Sequence, residues 1–195
     1  MTEESETICM ACSILRQEIE HLRDMGEITL PLRFLQSSLH LKPEELRQQL
    51  ASEVDKESRN GNKVVLVYGD CHSHMVDLDR RPNVARTRGA NCYEIMLGRE
   101  VYRNLRRGGV FFLMPEWAVR WQEIFCSCLE MTEANTREMM QSMHSKIIYI
   151  DTELVKMPEE HVRNFSSYCG LGWERMQVPL DHLLQSIRAA VEQLE

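Results

Sequence analysis

The sequence K-V-V-L-V-Y-G-D-C-H, from Lys63 to His72, decides the class of fold that we expect. Its run of apolar and β-branched residues ends at Gly69, which is typical of a strand buried on both faces of a parallel sheet. An aspartate, a cysteine and a histidine follow directly. Because ligands bind beyond the carboxyl ends of the strands in open parallel sheets, Cys71 is expected at an edge where a functional site forms.

Apolar segments alternate with helical ones along the whole chain. The segments predicted as strands are residues 7–12, 30–39, 63–68, 83–86, 110–114 and 146–151. Helical periodicity between them predicts an α/β fold, with a three-layer, open and mainly parallel sheet that carries helices on both faces. No repeat or linker interrupts this pattern. We therefore predict a single α/β domain over residues 1–195, with a disordered N-terminal tail over residues 1–6.

Several helices have clear boundary signals. Ser13 is expected to cap the first helix, and Pro43 opens the second. Gly98 is expected to break the helix that follows Cys92. The last helix, from about Leu180, has apolar residues at helical spacing and is predicted to dock by that face.

The composition excludes some classes of function. The chain has 195 residues, a net charge of −7 and 43% hydrophobic residues. Its negative charge argues against general binding to nucleic acids or anionic membranes, which need a basic face. No apolar run approaches the roughly 20 residues that span a bilayer, and the acidic N-terminus does not resemble a signal peptide. Seven cysteines without such a signal predict a reducing, cytoplasmic compartment.

Four potential metal ligands follow predicted strands. Cys12 follows the first strand, His40 the second and Cys71 the central one, while Cys92 opens a helix after a short strand. Helix N-termini favour the thiolate, which is the form of cysteine that binds metal. Three cysteines and a histidine match a closed zinc site. Three cysteines with an open position suit catalytic zinc or one face of an iron–sulfur cluster.

Alternatives exist for these ligands. A single buried cysteine is usually a packing residue, and the long, irregular separations match no zinc-ribbon spacing. His72 or His74 could replace His40 as the fourth ligand.

The other cysteines give weaker signals. Cys9-x-x-Cys12 has the spacing of a redox motif, although Cys9 falls inside the strand and is expected in the core. Cys126 and Cys128 lie two residues apart on a helix and are predicted to be packing residues. The role of Cys169, in a glycine-containing turn, is open.

Charged and aromatic side chains supply further candidates. Asp70 could orient a ligand or act as a base, and Glu18 could support the site or lie on a solvated face; both are candidate catalytic residues. Arg80 and Arg88 belong to a basic segment that is either a solvated loop or an anion-binding lid. Trp117 is a candidate wall of a cofactor pocket, with aromatic core as the alternative.

Five segments follow one another in an order that resembles a known family. They are C-S-I-L-R-Q-E-I from Cys12, L-H at Leu39-His40, Y-G-D-C from Tyr68, N-C-Y-E-I-M-L-G from Asn91 and G-V-F-F-L-M-P-E-W from Gly109. The chain resembles the bacterial and archaeal domain of unknown function 1638 family from about Ile8 to Trp173. Members are often encoded beside corrinoid-dependent methyltransferases, which implies a link to one-carbon metabolism.

The resemblance implies that some residues of this chain match positions of the family's motifs. They are Cys12, Cys71 and Cys92, together with His40, Glu18, Tyr68 and Gly69. Two positions depart from the family pattern. His72 stands where the family usually has glycine, which adds a possible ligand. Asn91 stands where the family usually has aspartate, which removes a possible base.

We therefore expect a zinc or iron–sulfur site formed by Cys12, Cys71 and Cys92 with His40 or His72. Its partner would be a small-molecule substrate or a corrinoid protein. One alternative is a non-catalytic accessory protein that docks on a corrinoid methyltransferase system. Another is a metal-free thiol redox protein that uses Cys9 and Cys12. The exposed side of residues 121–129 is a candidate homodimer surface.

Overall fold

The computed structural model describes residues 5–194. Of the predicted disordered tail, residues 1–4 lie outside the described part. Ser5 and Glu6 are held by hydrogen bonds to the turn that precedes the central strand. The Ser5 hydroxyl donates to the Gly61 carbonyl at 2.7 Å, and the Glu6 amide donates to Asn62 Oδ1 at 3.1 Å.

Between residues 5 and 194, the strands form two parallel sheets. The first sheet has the order β2-β1-β3-β4 and consists of β1 (Thr7–Cys12), β2 (Leu32–Leu35), β3 (Lys63–Val67) and β4 (Val84–Arg86). The second has the order β5-β6-β7 and consists of β5 (Val110–Leu113), β6 (Lys146–Asp151) and β7 (Trp173–Gln177). All these pairings are parallel, which confirms the predicted open α/β fold.

Helices connect the strands. They are α1 (Arg16–Asp24), α2 (Pro43–Arg59), α3 (Met75–Asp79), α4 (Cys92–Leu97), α5 (Arg99–Arg107), α6 (Pro115–Gln122), α7 (Glu133–Met143), α8 (Glu159–Cys169) and α9 (Asp181–Glu192). Short 3₁₀ segments cover Ser13–Leu15 and Ser37–Leu41, and a π-helical turn, Glu123–Cys128, extends α6. Across residues 5–194, no helix combines the length and apolar character needed to cross a bilayer.

Two boundary predictions are confirmed, one is wrong, and one strand was not predicted. Pro43 opens α2, and Gly98 separates α4 from α5 with a φ of 76°. Ser13 lies in a 3₁₀ segment before α1 instead of capping it. Strand β7 was not predicted, because its residues are half-exposed or exposed and lack a buried apolar run.

The chain divides into two compact units, which are described separately. The first unit runs to Gly98 and also includes the C-terminal segment from Leu180, while the second covers Arg99–Pro179. The single domain expected over residues 1–195 therefore stays a prediction. In the first unit, α9 packs against β3 and β4 and buries Leu183, Ile187 and Ala190. In the second unit, the rings of Trp121 and Phe125 pack against Phe165.

The strand order of the first sheet determines where its ligand crevice lies. The chain moves outward from β1 to the edge strand β2, then returns past β1 to β3 and continues to β4. In doubly wound sheets, the crevice forms beyond the carboxyl ends of the two strands where the direction of winding reverses. These strands are β1, which ends at Cys12, and β3, which precedes Cys71.

Candidate functional site

The first unit places four of the predicted ligands beyond one edge of its sheet. Cys12 is the last residue of β1, and Cys71 follows the end of β3. Cys92 is the first residue of α4, which follows β4. His40 lies in the 3₁₀ segment that follows β2. Each of the four strands therefore brings one thiol or imidazole to the same edge.

Gly69 allows the loop after β3 to approach the start of α4. The Asp70 amide donates to the Ala90 carbonyl at 3.0 Å. A Cβ atom at Gly69 would lie 2.3 Å from the Asn91 Cα, a separation that no side chain can adopt. Only glycine therefore fits at this position without backbone movement, and the approach brings Cys71 towards Cys92.

A hydrogen bond between two serines joins the 3₁₀ segment that contains His40 to the residue that follows β1. The Ser37 amide donates to Ser13 Oγ at 2.9 Å. Ser37 is 1% exposed, so this contact lies in the interior. The sequence assigned Ser13 to helix capping, whereas in the structure its hydroxyl joins two strand ends.

The three thiols and the imidazole form one chain of hydrogen bonds. Cys92 is hydrogen bonded to both Cys12 and Cys71, and Cys71 is also bonded to His40. Cys12 and Cys92 are buried, with 8% and 9% of their surfaces exposed. Cys71 is half-buried, and His40 is exposed. The chain of hydrogen bonds thus runs from the interior at Cys12 to the surface at His40.

Hydrogen bonding gives Cys71 the character of a thiolate. The bond from Cys92 is the largest cause that lowers the pKa of Cys71 to about 5, and His40 adds to the effect against the opposing effect of burial. The same contact with Cys71 raises the pKa of His40 above its ordinary value. These directions describe a thiolate held between a thiol and an imidazolium.

Cys92 behaves differently from the expectation for a thiol at a helix N-terminus. Its hydrogen bonds to Cys12 and Cys71, together with burial, raise its pKa well above the ordinary value. The prediction that the helix end favours a thiolate is therefore wrong for the metal-free form of Cys92. A thiol that donates to a neighbouring thiolate retains its proton, and this outweighs the effect of a six-residue helix.

His72 is less suited than His40 to bind a metal. The His74 amide donates to His72 Nδ1 at 3.1 Å, so the neutral ring carries its proton on Nε2. That Nε2 atom is buried and has no hydrogen-bond partner among the described residues. In this tautomer, His72 Nε2 carries a hydrogen atom and therefore has no lone pair to give to a metal ion. His74 lies 3.0 Å from Asp77 on the surface.

The two candidate catalytic carboxylates lie in different environments. Asp70 is 67% exposed and forms an ion pair with Arg86 at 3.0 Å. Arg86 also binds Asp79 at 2.7 Å, so this loop is held by a bridging guanidinium. Glu18 is 1% exposed within α1. Its burial excludes the solvated-face alternative.

The basic segment is a set of surface arginines, most of which face carboxylates. Arg80 is 76% exposed and lies 3.6 Å from Asp77. Arg81 binds Asp55, and Arg88 is exposed. These contacts favour the solvated loop over an anion-binding lid. Trp117 is half-buried in α6 of the second unit, and its role as a pocket wall stays a prediction.

The remaining cysteines do not join this cluster. Burial raises the pKa of both Cys9 and Cys169 to about 12, as expected for packing residues. Cys9 and Cys12 lie on one extended strand, about 10 Å apart, which exceeds the reach of a disulfide. Cys126 and Cys128 are exposed. Their predicted packing role is wrong, because the π-helical turn buries Ile124 and Phe125 instead.

The hydrogen-bonded arrangement differs from a preformed coordination sphere. Within residues 5–194, no three histidine, cysteine, aspartate or glutamate side chains are grouped so that they could hold a metal ion. The four donors instead contact one another in series. Metal binding would replace these hydrogen bonds with coordination bonds and release their protons.

Comparisons with known proteins place the chain in a family without naming its chemistry. No curated protein and no solved structure matches it. A family model described as "Protein of unknown function (DUF1638)" matches residues 34–187. This range includes His40, Cys71 and Cys92, whereas Cys12 and Glu18 precede it. Because the match covers most of the sequence, the chain belongs to the DUF1638 family.

Proposed function

We propose that the protein binds a metal ion through Cys12, Cys71, Cys92 and His40, and that zinc is the metal. The observation that carries this proposal is the single hydrogen-bonded chain that joins these four side chains. Their residue types are those of a closed Cys₃His zinc site. The alternative is an iron–sulfur cluster that the three cysteines bind, with one iron open to substrate.

The proposed centre has an inner and an outer side. Cys12 and Cys92 are buried, whereas Cys71 is half-buried and contacts the exposed His40. A substrate that approaches from solvent therefore meets Cys71 and His40 first. With four protein ligands, the chemistry that bound zinc would supply is a zinc-bound thiolate at Cys71. The chain's own groups orient the ligands and exclude water from the inner side.

Anaerobic metal analysis combined with an absorption spectrum tests this proposal. We expect about one equivalent of zinc, or iron with sulfur-to-iron bands, and its loss in Cys71→Ser. Cys128→Ser is the matched control, because Cys128 is an exposed cysteine outside the cluster. Less than about one-tenth equivalent of either metal, unchanged by Cys71→Ser, would overturn the proposal.

A second candidate function is metal-free nucleophilic chemistry at Cys71. The imidazolium–thiolate contact with His40 and the pKa of about 5 favour it. Alkylation by iodoacetamide after chelation tests this candidate. We expect a Cys71 rate that reaches half its maximum near pH 5 and that is faster at pH 6 than the Cys128 rate. Equal rates at both cysteines would exclude it.

For the partner, we propose a corrinoid protein or a small methyl donor in the cytoplasm. Support comes from the resemblance to a family whose members are often encoded beside corrinoid-dependent methyltransferases, and from the free cysteines that the site requires. Co-purification with a corrinoid methyltransferase system tests the proposal. Association that requires Cys12, Cys71 and Cys92 supports a role for the metal site. If the association persists when all three cysteines are replaced, the protein is an accessory docking protein instead.

A further inference from the structure

Two thiols of the cluster come from segments whose backbones are in direct contact. A Cβ atom at Gly69 would lie 2.3 Å from the Asn91 Cα. Because a carbon–carbon single bond is about 1.5 Å long, the Cα atoms of these two residues lie within about 4 Å of each other. Cys71 follows Gly69 by two residues, and Cys92 follows Asn91 directly. The backbone therefore holds the two cysteines side by side.

The side chains of Cys71 and Cys92 also meet. They are hydrogen bonded to each other, and neither is in a disulfide. A disulfide needs Cα atoms about 4.4–6.8 Å apart and side chains that point towards each other. Two segments in backbone contact whose thiols also touch suit such a bond, whereas Cys9 and Cys12 lie about 10 Å apart along one strand.

The two thiols differ in their access to solvent. Cys71 is half-buried and contacts the exposed His40, whereas Cys92 is only 9% exposed. A reagent from solvent therefore reaches Cys71 first, and Cys92 reacts only with what has formed at Cys71. An accessible thiolate backed by a buried thiol is the arrangement of a nucleophilic cysteine and its resolving cysteine. Because Cys71 is itself half-buried, a small reagent fits better than a disulfide within a folded protein.

We propose that Cys71 and Cys92 form a redox-active dithiol that reduces low-molecular-weight disulfides. This inference rests on the second candidate function, nucleophilic chemistry at Cys71, and it requires no metal. It assigns the thiol redox chemistry that the sequence suggested for Cys9 and Cys12 to two thiols that the fold brings together.

The reaction consists of two thiol–disulfide exchanges. In the first, the Cys71 thiolate attacks one sulfur of the substrate, a mixed disulfide forms, and the released thiolate takes the proton of the His40 imidazolium. In the second, the Cys92 sulfur attacks the Cys71 sulfur, and its proton goes to the departing half of the substrate. The substrate disulfide gains two electrons and becomes two thiols, while the dithiol loses two electrons and becomes a disulfide.

The experiment exposes the reduced, full-length chain to oxidised glutathione in the presence of a metal chelator. Free thiols are then blocked with N-ethylmaleimide, and tryptic peptides are analysed by mass spectrometry without reduction. Arginines within residues 80–88 place Cys71 and Cys92 on separate peptides. We expect a cross-link between these two peptides, the loss of both thiols from the blocked fraction, and their recovery after treatment with dithiothreitol.

Cys92→Ser separates the two exchanges. This variant keeps the nucleophile and lacks the resolving thiol, so it should accumulate the mixed disulfide of Cys71 with glutathione. Cys71→Ser should give neither the mixed disulfide nor the cross-link at this site. Cys128→Ser is the matched control, because Cys128 is an exposed cysteine outside the cluster. Its cross-link should form to the same extent as in wild type.

Absence of the cross-link in wild type would overturn the inference, as would a link from Cys92 to Cys12 in its place. If Cys71 is nevertheless alkylated faster than Cys128, its proposed nucleophilic chemistry stands and only the dithiol is excluded. If neither the cross-link nor the faster alkylation occurs, both proposals fail. Wild type alone gives these results, so the test does not depend on the folding of the variants.

Discussion

Cys71 shows how one side chain acquires its chemistry from its neighbours. Its thiolate accepts from Cys92 and lies beside the His40 imidazolium, and both contacts oppose the effect of burial. Burial alone has the reverse result at Cys9, where it raises the pKa to about 12. The difference between these two cysteines is therefore one of hydrogen bonding.

The lowered pKa of Cys71 predicts a pH dependence of stability in the metal-free protein. The folded chain favours the thiolate, with a pKa of about 5 against an ordinary value of 9.0. Its contribution should be absent below about pH 5, grow as the pH rises and be complete above about pH 9. Urea unfolding of wild type and Cys71→Ser under reducing conditions measures it. A stability difference that is constant from pH 5 to 9 would contradict this assignment.

At the scale of elements, the site depends on the close approach of the β3 loop to α4. Gly69 permits the contact because its missing Cβ leaves room for the Asn91 backbone. Asn91 then caps α4 by accepting from the Glu94 amide at 3.0 Å. Asparagine and aspartate cap helices about equally well, so either residue could make this contact.

Gly69→Ala is expected to separate these two elements. A Cβ atom 2.3 Å from the Asn91 Cα requires the backbone to move, which should destabilise the protein by about 3 kcal/mol in urea unfolding. The pKa of Cys71 should also rise as its contact with Cys92 weakens. Gly172→Ala is the control, because nothing lies within 4 Å of a Cβ atom there. Equal stability of the two variants would show that the approach is not tight.

Asn91 gives a second prediction at this scale. Asn91→Ala removes the side-chain cap of α4 and should lower the free energy of unfolding by about 1 kcal/mol. Asn91→Asp should change stability little, because aspartate also accepts from the Glu94 amide. Thermal unfolding distinguishes these outcomes. If Asn91→Asp raised the free energy of unfolding by as much as Asn91→Ala lowers it, asparagine and aspartate would not be equivalent caps here.

At the scale of the whole molecule, the C-terminal segment returns to the first unit. Helix α9 packs against β3 and β4, the two strands that lead to Cys71 and Cys92. Arg188 of α9 also reaches Glu27 at 2.5 Å. The end of the chain therefore supports the sheet that positions the candidate site.

Substitution within α9 should consequently affect the first unit. Ile187 is 1% exposed, and Ile187→Ala should cost about 2–5 kcal/mol through lost burial and the cavity that remains. Leu184→Ala, at a half-buried position of the same helix, should cost less. Urea unfolding measures both variants. A larger loss at Leu184 would mean that α9 docks by another face than the structure shows.

Local patterns in the sequence were sufficient for the class of fold and for the position of each candidate ligand along the chain. Apolar runs and helix signals depend on neighbouring residues, so they predicted the parallel α/β arrangement and placed Cys12, Cys71 and Cys92 after strands. The same reasoning failed for β7, whose exposure removes the apolar signal.

Tertiary structure decided the properties that depend on pairing between distant segments. Strand order divides the strands between two sheets and brings His40 to Cys71. The fold also buries Glu18 and the His72 Nε2 atom, while the His74 amide donates to His72 Nδ1. Protonation of the thiols follows from these contacts, because a pKa depends on which charges and donors surround a group. Sequence determined which side chains reach the edge, and only the fold determined which of them meet.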